Sequence, residues 1–184
     1  MIHYIDVGSV LHRTVCDLYS NLVTRSTGAA VRREIESALA DLPDPSLTII
    51  DFSSVGMMDF SCADEVVGKL LDKIHNGPAP REVYVLVRGV GDSHLEAIET
   101  VLERYGVAVV VEDIEGMWRV VGPLEETLRR TCNAVNKRGR VRAADLAPEL
   151  GEAPDHMART LDGLCERRLV MRDANDYLAL QLAL

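Results

Sequence analysis

The sequence predicts an α/β fold in its first two-thirds, followed by a smaller α+β unit. Short runs rich in Val and Ile alternate with segments whose apolar residues recur at helical spacing, which is typical of a sheet that carries helices. The charge changes at the same place: residues 1–122 hold ten Lys and Arg against nineteen Asp and Glu, whereas residues 123–184 hold ten of each. We therefore expect one domain over 1–122 and another over 123–184, divided at Gly122-Pro123.

The elements of the first domain follow from periodicity and from turn residues. Helices are expected from just after Gly28 to about residue 42, over 61–75 and over 92–105, because apolar residues there share one face. Gly106 is expected to end the third helix. Strands are expected at the apolar, β-branched runs 2–7, 47–52, 82–87, 107–111 and 117–121.

Composition limits the classes of function. Apolar residues make up 47% and charged residues 27% of the chain, which is the balance of a folded protein. No apolar run approaches the roughly 18–20 residues of a membrane helix, and the N-terminus lacks the regions of a signal peptide, so we expect a cytoplasmic protein without a membrane partner. The four cysteines are far apart, so we expect no metal site. No catalytic constellation is recognisable, and we expect neither an enzyme nor a cofactor.

A strand, an Asp and a small turn precede the second predicted helix. The run Thr48–Glu65 resembles the signature of the STAS domain, the fold of bacterial anti-sigma-factor antagonists and of the cytoplasmic tails of sulfate transporters. A closer resemblance, over about residues 20–121, is to the STAS-like family of unknown function. It rests on Ser61-Cys-Ala-Asp-Glu-Val66 and Leu22-Val-Thr-Arg25-Ser-Thr-Gly28. The resemblance implies a STAS-like sheet with helices packed on it.

The start of the second helix is a candidate modification or partner site. In the antagonists the phosphorylated residue directly follows the Asp, and here Phe60 holds that position after Asp59. Ser61 can still lie at the helix N-terminus, where backbone N–H groups stabilise an added phosphate. The alternative is that Ser61 only caps its helix. The resemblance implies a kinase-like ATPase or an anti-sigma factor as the partner. The pair Asp64-Glu65 is expected on a solvated helix face.

The segment Arg25-Ser26-Thr27-Gly28 is a candidate site for a ligand or anion. A guanidinium, hydroxyl groups and a glycine at a helix start together form a cradle for negative charge. The segment lacks the spacing of a P-loop, so nucleotide hydrolysis is not implied. The alternative is that Ser26 or Thr27 caps the helix and that Arg25 pairs with a nearby carboxylate.

The last third predicts three helices and a hairpin. They are expected over 127–136, 142–150 and 155–168, followed by short strands at 169–171 and 177–180. The stretches Gly139–Gly151 and Leu161–Val170 are similar to bacterial winged-helix regulators. This resemblance implies a winged helix-turn-helix domain over 123–184.

The resemblance makes duplex DNA the expected partner. A DNA reader needs cations and hydrogen-bonding side chains on the exposed face of its second helix and nearby. A homodimer is expected, because one small module gives limited specificity. The leading hypothesis is a transcriptional regulator whose first domain senses or docks something and controls the second. The alternatives are a partner-switching adaptor that uses the winged helix for protein contact or dimerisation, and a structural subunit of a larger assembly. The candidate DNA contacts are Arg140, Arg142, His156, Arg159, Thr160 and Arg172.

Overall fold

The computed structural model describes residues 2–16, 18, 20–77 and 82–183. It has a mixed α/β architecture, which confirms the predicted class: a sheet of parallel and antiparallel strands has helices on one face and the C-terminal third on the other. Met1 and Leu184, the outer limits of the two predicted domains, lie outside the described residues. Within those residues, no helix has the length and the apolar character needed to cross a bilayer.

The large sheet contains five strands whose order in space is their order along the chain. The first four are parallel, and the fifth runs antiparallel to the fourth. Each overlaps an apolar run that predicts a strand, and the second and third are almost completely buried because both faces of the sheet are covered there. The strands are β1 (Ile2–Asp6), β2 (Ser46–Asp51), β3 (Val83–Val90), β4 (Val109–Asp113) and β5 (Trp118–Val121).

The helices between these strands share one hydrophobic core on the first face of the sheet. The π-helical segment Asp64–Lys69 joins α3 to α4 without a break. Gly106 ends α5 with φ 65°, as predicted. The first helix is absent from the sequence prediction, because eight residues are too few to show a clear period. The helices are α1 (Val7–Thr14), α2 (Arg25–Ala40), α3 (Phe60–Ala63), α4 (Leu70–Asn76) and α5 (Asp92–Tyr105).

The C-terminal third contains the predicted three helices and hairpin, and a two-residue strand that lies outside the predicted elements. Its three strands form an antiparallel sheet in the order β6–β8–β7, and a 3₁₀ turn at Leu180–Ala183 follows. The elements are α6 (Glu126–Arg138), β6 (Arg140–Val141), α7 (Ala143–Leu150), α8 (Pro154–Glu166), β7 (Val170–Asp173) and β8 (Asp176–Ala179).

The C-terminal third packs on the second face of the large sheet. Residues of that face, such as Leu47 of β2 and Leu86 of β3, belong to the same buried cluster as Leu128 of α6 and Leu164 of α8. Because the core continues across Gly122-Pro123, the change in net charge there is not accompanied by a break in the packing. The cluster orients α8 relative to the sheet.

Candidate functional site

Two segments that the sequence separates by more than thirty residues meet beside the large sheet. The Leu22 backbone N–H donates to the Met57 carbonyl at 2.7 Å, and the Asp59 N–H donates to the Leu22 carbonyl at 2.9 Å. Residues 22 and 58 form a single parallel bridge. The candidate residues Arg25–Gly28 and Asp59–Ser61, which the sequence predicts as two sites, therefore lie together.

The Asp59 carboxylate connects the starts of two helices. Its Oδ2 accepts a hydrogen bond from the Thr24 backbone N–H at 2.9 Å, and its Oδ1 accepts from the Cys62 N–H at 2.8 Å. Thr24 has φ 74°, an uncommon value for a residue other than glycine, and the Cys62 thiol also donates to its carbonyl at 2.9 Å. The carboxylate therefore holds α2 and α3 in fixed relative positions.

Hydrogen bonding keeps Asp59 ionised. Burial raises the pKa of its carboxyl, but bonds from the backbone N–H groups of Thr24 and Cys62 and from the Ser61 hydroxyl lower it by more, so the pKa lies below its ordinary value. An ionised carboxylate only accepts hydrogen bonds, which matches the donors around it. Asp59 is thus available as an acceptor at neutral pH.

The helix caps differ from the expected ones. Asp59 caps α3 and Thr24 caps α2, so the alternatives that assign these caps to Ser61 and to Ser26 or Thr27 are wrong. Ser61 is half-buried, and its hydroxyl donates to Asp59 Oδ1 at 2.8 Å. Its modification stays a prediction.

Gly28 permits the close approach of α2 to α3. A Cβ atom at this position would lie 2.9 Å from the Cys62 Cα and 3.1 Å from the Glu65 Cβ. The first of these is a backbone atom, so a larger side chain would push the two helices apart. This contact explains the glycine without any ligand, and the anion site at residues 25–28 stays a prediction.

The pair Asp64-Glu65 is buried, which corrects the expected solvated position. The two residues are only 1% and 2% exposed, because the helix that carries them is flanked on both sides by α2 and α5. Arg25 Nη1 donates to Asp64 Oδ2 at 2.5 Å and to Glu65 Oε1 at 2.9 Å. Arg104 and the Tyr105 hydroxyl approach Asp64 Oδ1 at 3.3 and 3.1 Å.

Further cations surround Glu65. Arg32 Nε donates to its Oε2 at 3.1 Å, and Lys69 forms an ion pair with its Oε1. Arg32 and Lys73 also pair with Glu36. Of the ten Lys and Arg residues in the acidic first two-thirds of the chain, five thus gather around three carboxylates.

The two buried carboxyls are ionised. Burial raises the pKa of each, but for Asp64 the bonds from Arg25 and Tyr105, and for Glu65 those from Lys69 and Arg25, outweigh it, so both pKa values lie below the ordinary range. The Arg25 guanidinium is half-exposed but already engaged. An anion that enters at residues 25–28 must therefore compete with both carboxylates.

Two apolar side chains lie exposed beside Asp59. Met57 is 59% exposed and Phe60 is 43% exposed, whereas the intervening Met58 is buried. Met and aromatic residues are enriched in the surfaces through which proteins contact one another.

Three of the four arginines predicted to contact DNA lie on the hairpin side of the C-terminal third. Arg140 pairs with Asp176 at 2.7 Å and with Asp173 at 3.0 Å, and Arg142 pairs with Asp176 at 2.8 Å. Arg172 pairs with Asp162 of α8 at 3.1 Å. The three arginine side chains are 52–67% exposed, so their heads reach solvent although each has a carboxylate partner.

The remaining predicted contacts belong to α8. His156 and Arg159 are exposed in its N-terminal half, with His156 Nε2 at 3.7 Å from Glu152. Thr160 is only 8% exposed, and its hydroxyl donates to the His156 carbonyl at 3.0 Å. The expected exposure of Thr160 is therefore wrong. Its place three residues after Met157 and four before Leu164 puts it on the buried side of the helix.

The site residues that the sequence does not reveal are chiefly Arg104 and Tyr105 of α5, which contact Asp64. Asp64 lies forty residues before Arg104, and no local pattern connects them. Among the described residues, no cluster of His, Cys, Asp or Glu could hold a metal ion. Comparison with known proteins finds no matching family model and no matching curated protein.

Proposed function

We propose that the protein is a bacterial transcriptional regulator in which the α/β domain senses or docks a ligand or partner and the C-terminal third binds duplex DNA. The observation that carries this proposal is the placement of α8: one face of the helix is buried in the core that it shares with the large sheet, whereas His156 and Arg159 are exposed near its N-terminal end. In helix-turn-helix proteins, the N-terminal residues of the second helix contact base edges.

The order of the C-terminal elements supports the proposal. Helix α6, strand β6, helices α7 and α8 and the hairpin β7–β8 follow one another in the order that the winged-helix resemblance implies. The hairpin corresponds to the wing. Arg140 and Arg142 pair there with aspartates at the surface, and such exposed pairs contribute little free energy. Phosphate oxygens can therefore replace the aspartates as partners of the two arginines.

A direct contact connects the helix that carries Asp64 and Glu65 to the chain that follows α8. Helix α4 continues the helix that carries Asp64 and Glu65. At its C-terminal end, Arg168 Nη1 donates to the Ile74 carbonyl at 2.6 Å, and His75 Nε2 lies 3.2 Å from the Arg167 carbonyl. Binding that displaces α3 and α4 would therefore act on the chain that directly follows α8. We propose that this displacement changes the DNA affinity of a homodimer.

The test measures binding to duplexes of the protein's own promoter and of unrelated sequence across a series of salt concentrations. The logarithm of the association constant is expected to fall linearly with the logarithm of the salt concentration. Arg159→Ala should weaken binding, with a salt slope reduced by about one if the guanidinium contacts phosphate.

The matched control is Arg33→Ala, which removes an exposed arginine from α2 and should leave binding unchanged. Absence of salt-sensitive binding, or equal losses in the two variants, would contradict the proposal. Sedimentation of the free and DNA-bound protein tests the homodimer.

A second candidate function is that of a partner-switching adaptor, favoured by exposed Met57 and Phe60 beside Ser61. Such an adaptor would bind a kinase-like ATPase or an anti-sigma factor through this surface. Phe60→Ser should then abolish association with that partner, and phosphoprotein mass spectrometry should find phosphate on Ser61. Loss of DNA binding in Phe60→Ser, with no partner lost, would argue for the regulator instead.

A further inference from the structure

The two edges of the large sheet differ in whether their backbone groups have hydrogen-bond partners. At the β5 edge, the Arg129 guanidinium of α6 donates from Nη1 to the Val120 carbonyl at 2.8 Å and from Nη2 to the Gly122 carbonyl at 2.6 Å. These carbonyl groups are thereby satisfied within the chain. An added strand would have to displace Arg129, so this edge is closed.

The β1 edge is open. β1 pairs with β2 from Ile2↔Leu47 to Asp6↔Asp51, and within the described residues no second strand pairs with it. Alternate residues of a parallel strand turn their N–H and C=O groups outward, and no described residue forms a backbone hydrogen bond with those groups of β1. The sequence Ile-His-Tyr-Ile-Asp contains neither the Pro nor the Lys that commonly blocks a strand edge.

A groove of about 540 Å³ runs beside this open edge, between β1 and the helices α1 and α2. Its apolar lining includes Ile5, Val10 and Ile35, all of them buried. An extended chain that pairs with β1 would place every second side chain toward this lining. The groove and the free edge therefore suit the same occupant.

The charged side chains of the groove are mainly acidic. Its lining contains the carboxylates Asp6, Glu34 and Asp41 and one guanidinium, Arg13. Glu34 and Asp41 are exposed and form no ion pair within the described residues. A second copy of this chain would bring the same carboxylates against them, whereas lysine or arginine side chains would be attracted.

We propose that the β1 edge binds an extended segment of a partner protein by strand addition, with Lys or Arg side chains directed toward α1 and α2. Backbone hydrogen bonds to β1 would supply affinity, and Glu34 and Asp41 would select basic side chains. This site is separate from α8 and from Asp59, so it does not depend on the proposed function.

The probe is the synthetic peptide acetyl-TKVKVKT-amide, whose three lysines share one side when it is extended. Titration into the ¹⁵N-labelled full-length protein should shift resonances of residues 2–13 and 34–41. Glu34→Lys and Asp41→Lys should each weaken binding about threefold, and the double variant about tenfold. Glu96→Lys, an exposed glutamate of α5, is the matched control and should leave the affinity unchanged.

Two further kinds of peptide test the mode of binding. The acidic analogue acetyl-TEVEVET-amide should bind at least about tenfold more weakly than the basic peptide. Two further analogues keep the lysines but carry N-methyl groups on every second backbone amide, on the odd-numbered residues in one and on the even-numbered residues in the other. Only one of these sets of amides faces β1, so one analogue should lose binding. Equal binding of both methylated peptides, shifts located elsewhere, no binding of the basic peptide, or a homodimer joined through β1 would each overturn the proposal.

Discussion

Ion pairs occur in two contrasting settings in this protein. Around Asp64 and Glu65, the carboxylate side chains are only 2–3% exposed and are held by cations from three helices. Between β6 and the hairpin, Arg140 and Asp173 have side chains that are 52% and 55% exposed. The same residue types thus perform different roles: water cannot replace a partner lost from the buried network, but it readily replaces one on the hairpin.

The largest expected effect comes from breaking the buried network. Glu65→Ala removes a buried acceptor that Arg25, Arg32 and Lys69 share, and we expect the free energy of unfolding to fall by about 2–3 kcal/mol. Urea unfolding measures this change. Glu34→Ala, at an exposed position of α2, is the control, and equal effects in the two variants would show that the network contributes nothing special.

A smaller loss is expected from Asp59→Ala. The substitution removes the cap of α3 and the bond that holds Thr24 at positive φ, and we expect a cost of about 1–2 kcal/mol. Asp59→Asn should lose less stability, because its amide oxygen can still accept the bonds on one side, whereas its NH2 group would face the donor on the other side. Equal losses in the two variants would mean that the negative charge matters more than the cap.

The pH dependence of stability sharpens the same contrast. Burial raises the Glu65 pKa, but its cation partners lower it below the ordinary value, so the carboxylate stabilises the fold fully above the unfolded pKa of about 4.3. That contribution is lost as the pH falls through the folded pKa. The difference in unfolding free energy between the native protein and Glu65→Gln should therefore shrink from pH 7 to pH 3. A difference that stays constant would contradict this assignment.

For the exposed ion pairs beside the hairpin, the expected effect on stability is the smallest. Replacing Arg140 and Arg142 together by Ala removes only exposed ion pairs, so the urea midpoint should stay unchanged. Under the proposed function, the same double variant should bind DNA more weakly with a shallower salt dependence. Destabilisation comparable to that of Glu65→Ala would show that the two sets of ion pairs do not differ.

For Thr160 no effect on DNA binding is expected. Its hydroxyl is satisfied within α8 and its side chain is buried, so Thr160→Val keeps the shape and removes no exposed group. Its DNA affinity, measured beside that of Arg159→Ala, should equal that of the native protein. A loss as large as that of Arg159→Ala would place Thr160 at the interface after all.

Most of the secondary structure could be predicted, because apolar period and turn residues are local. The predicted helix over 92–105 matches α5, and Gly106 ends it as expected. Helix α1 and strand β6 could not be recognised, since eight and two residues carry too little pattern. The site around Arg25 and Ser61 could be predicted only in part. The sequence identifies both segments, but it does not show that they meet, because their contact through Asp59 joins residues thirty-five positions apart.

Burial of polar residues marks where local pattern stops being informative. Asp64 and Glu65 look solvated in sequence, because two adjacent carboxylates ordinarily face water, and they are buried only because α2 and α5 converge on their helix. The open β1 edge and the closed β5 edge likewise depend on which strands become neighbours and on where Arg129 lies. Periodicity and composition were enough to predict most of the helices and strands and the fold class, since these depend on residues that are close together along the chain. The partners of each charge and the free surfaces required the packed chain, because they depend on residues that only folding brings together.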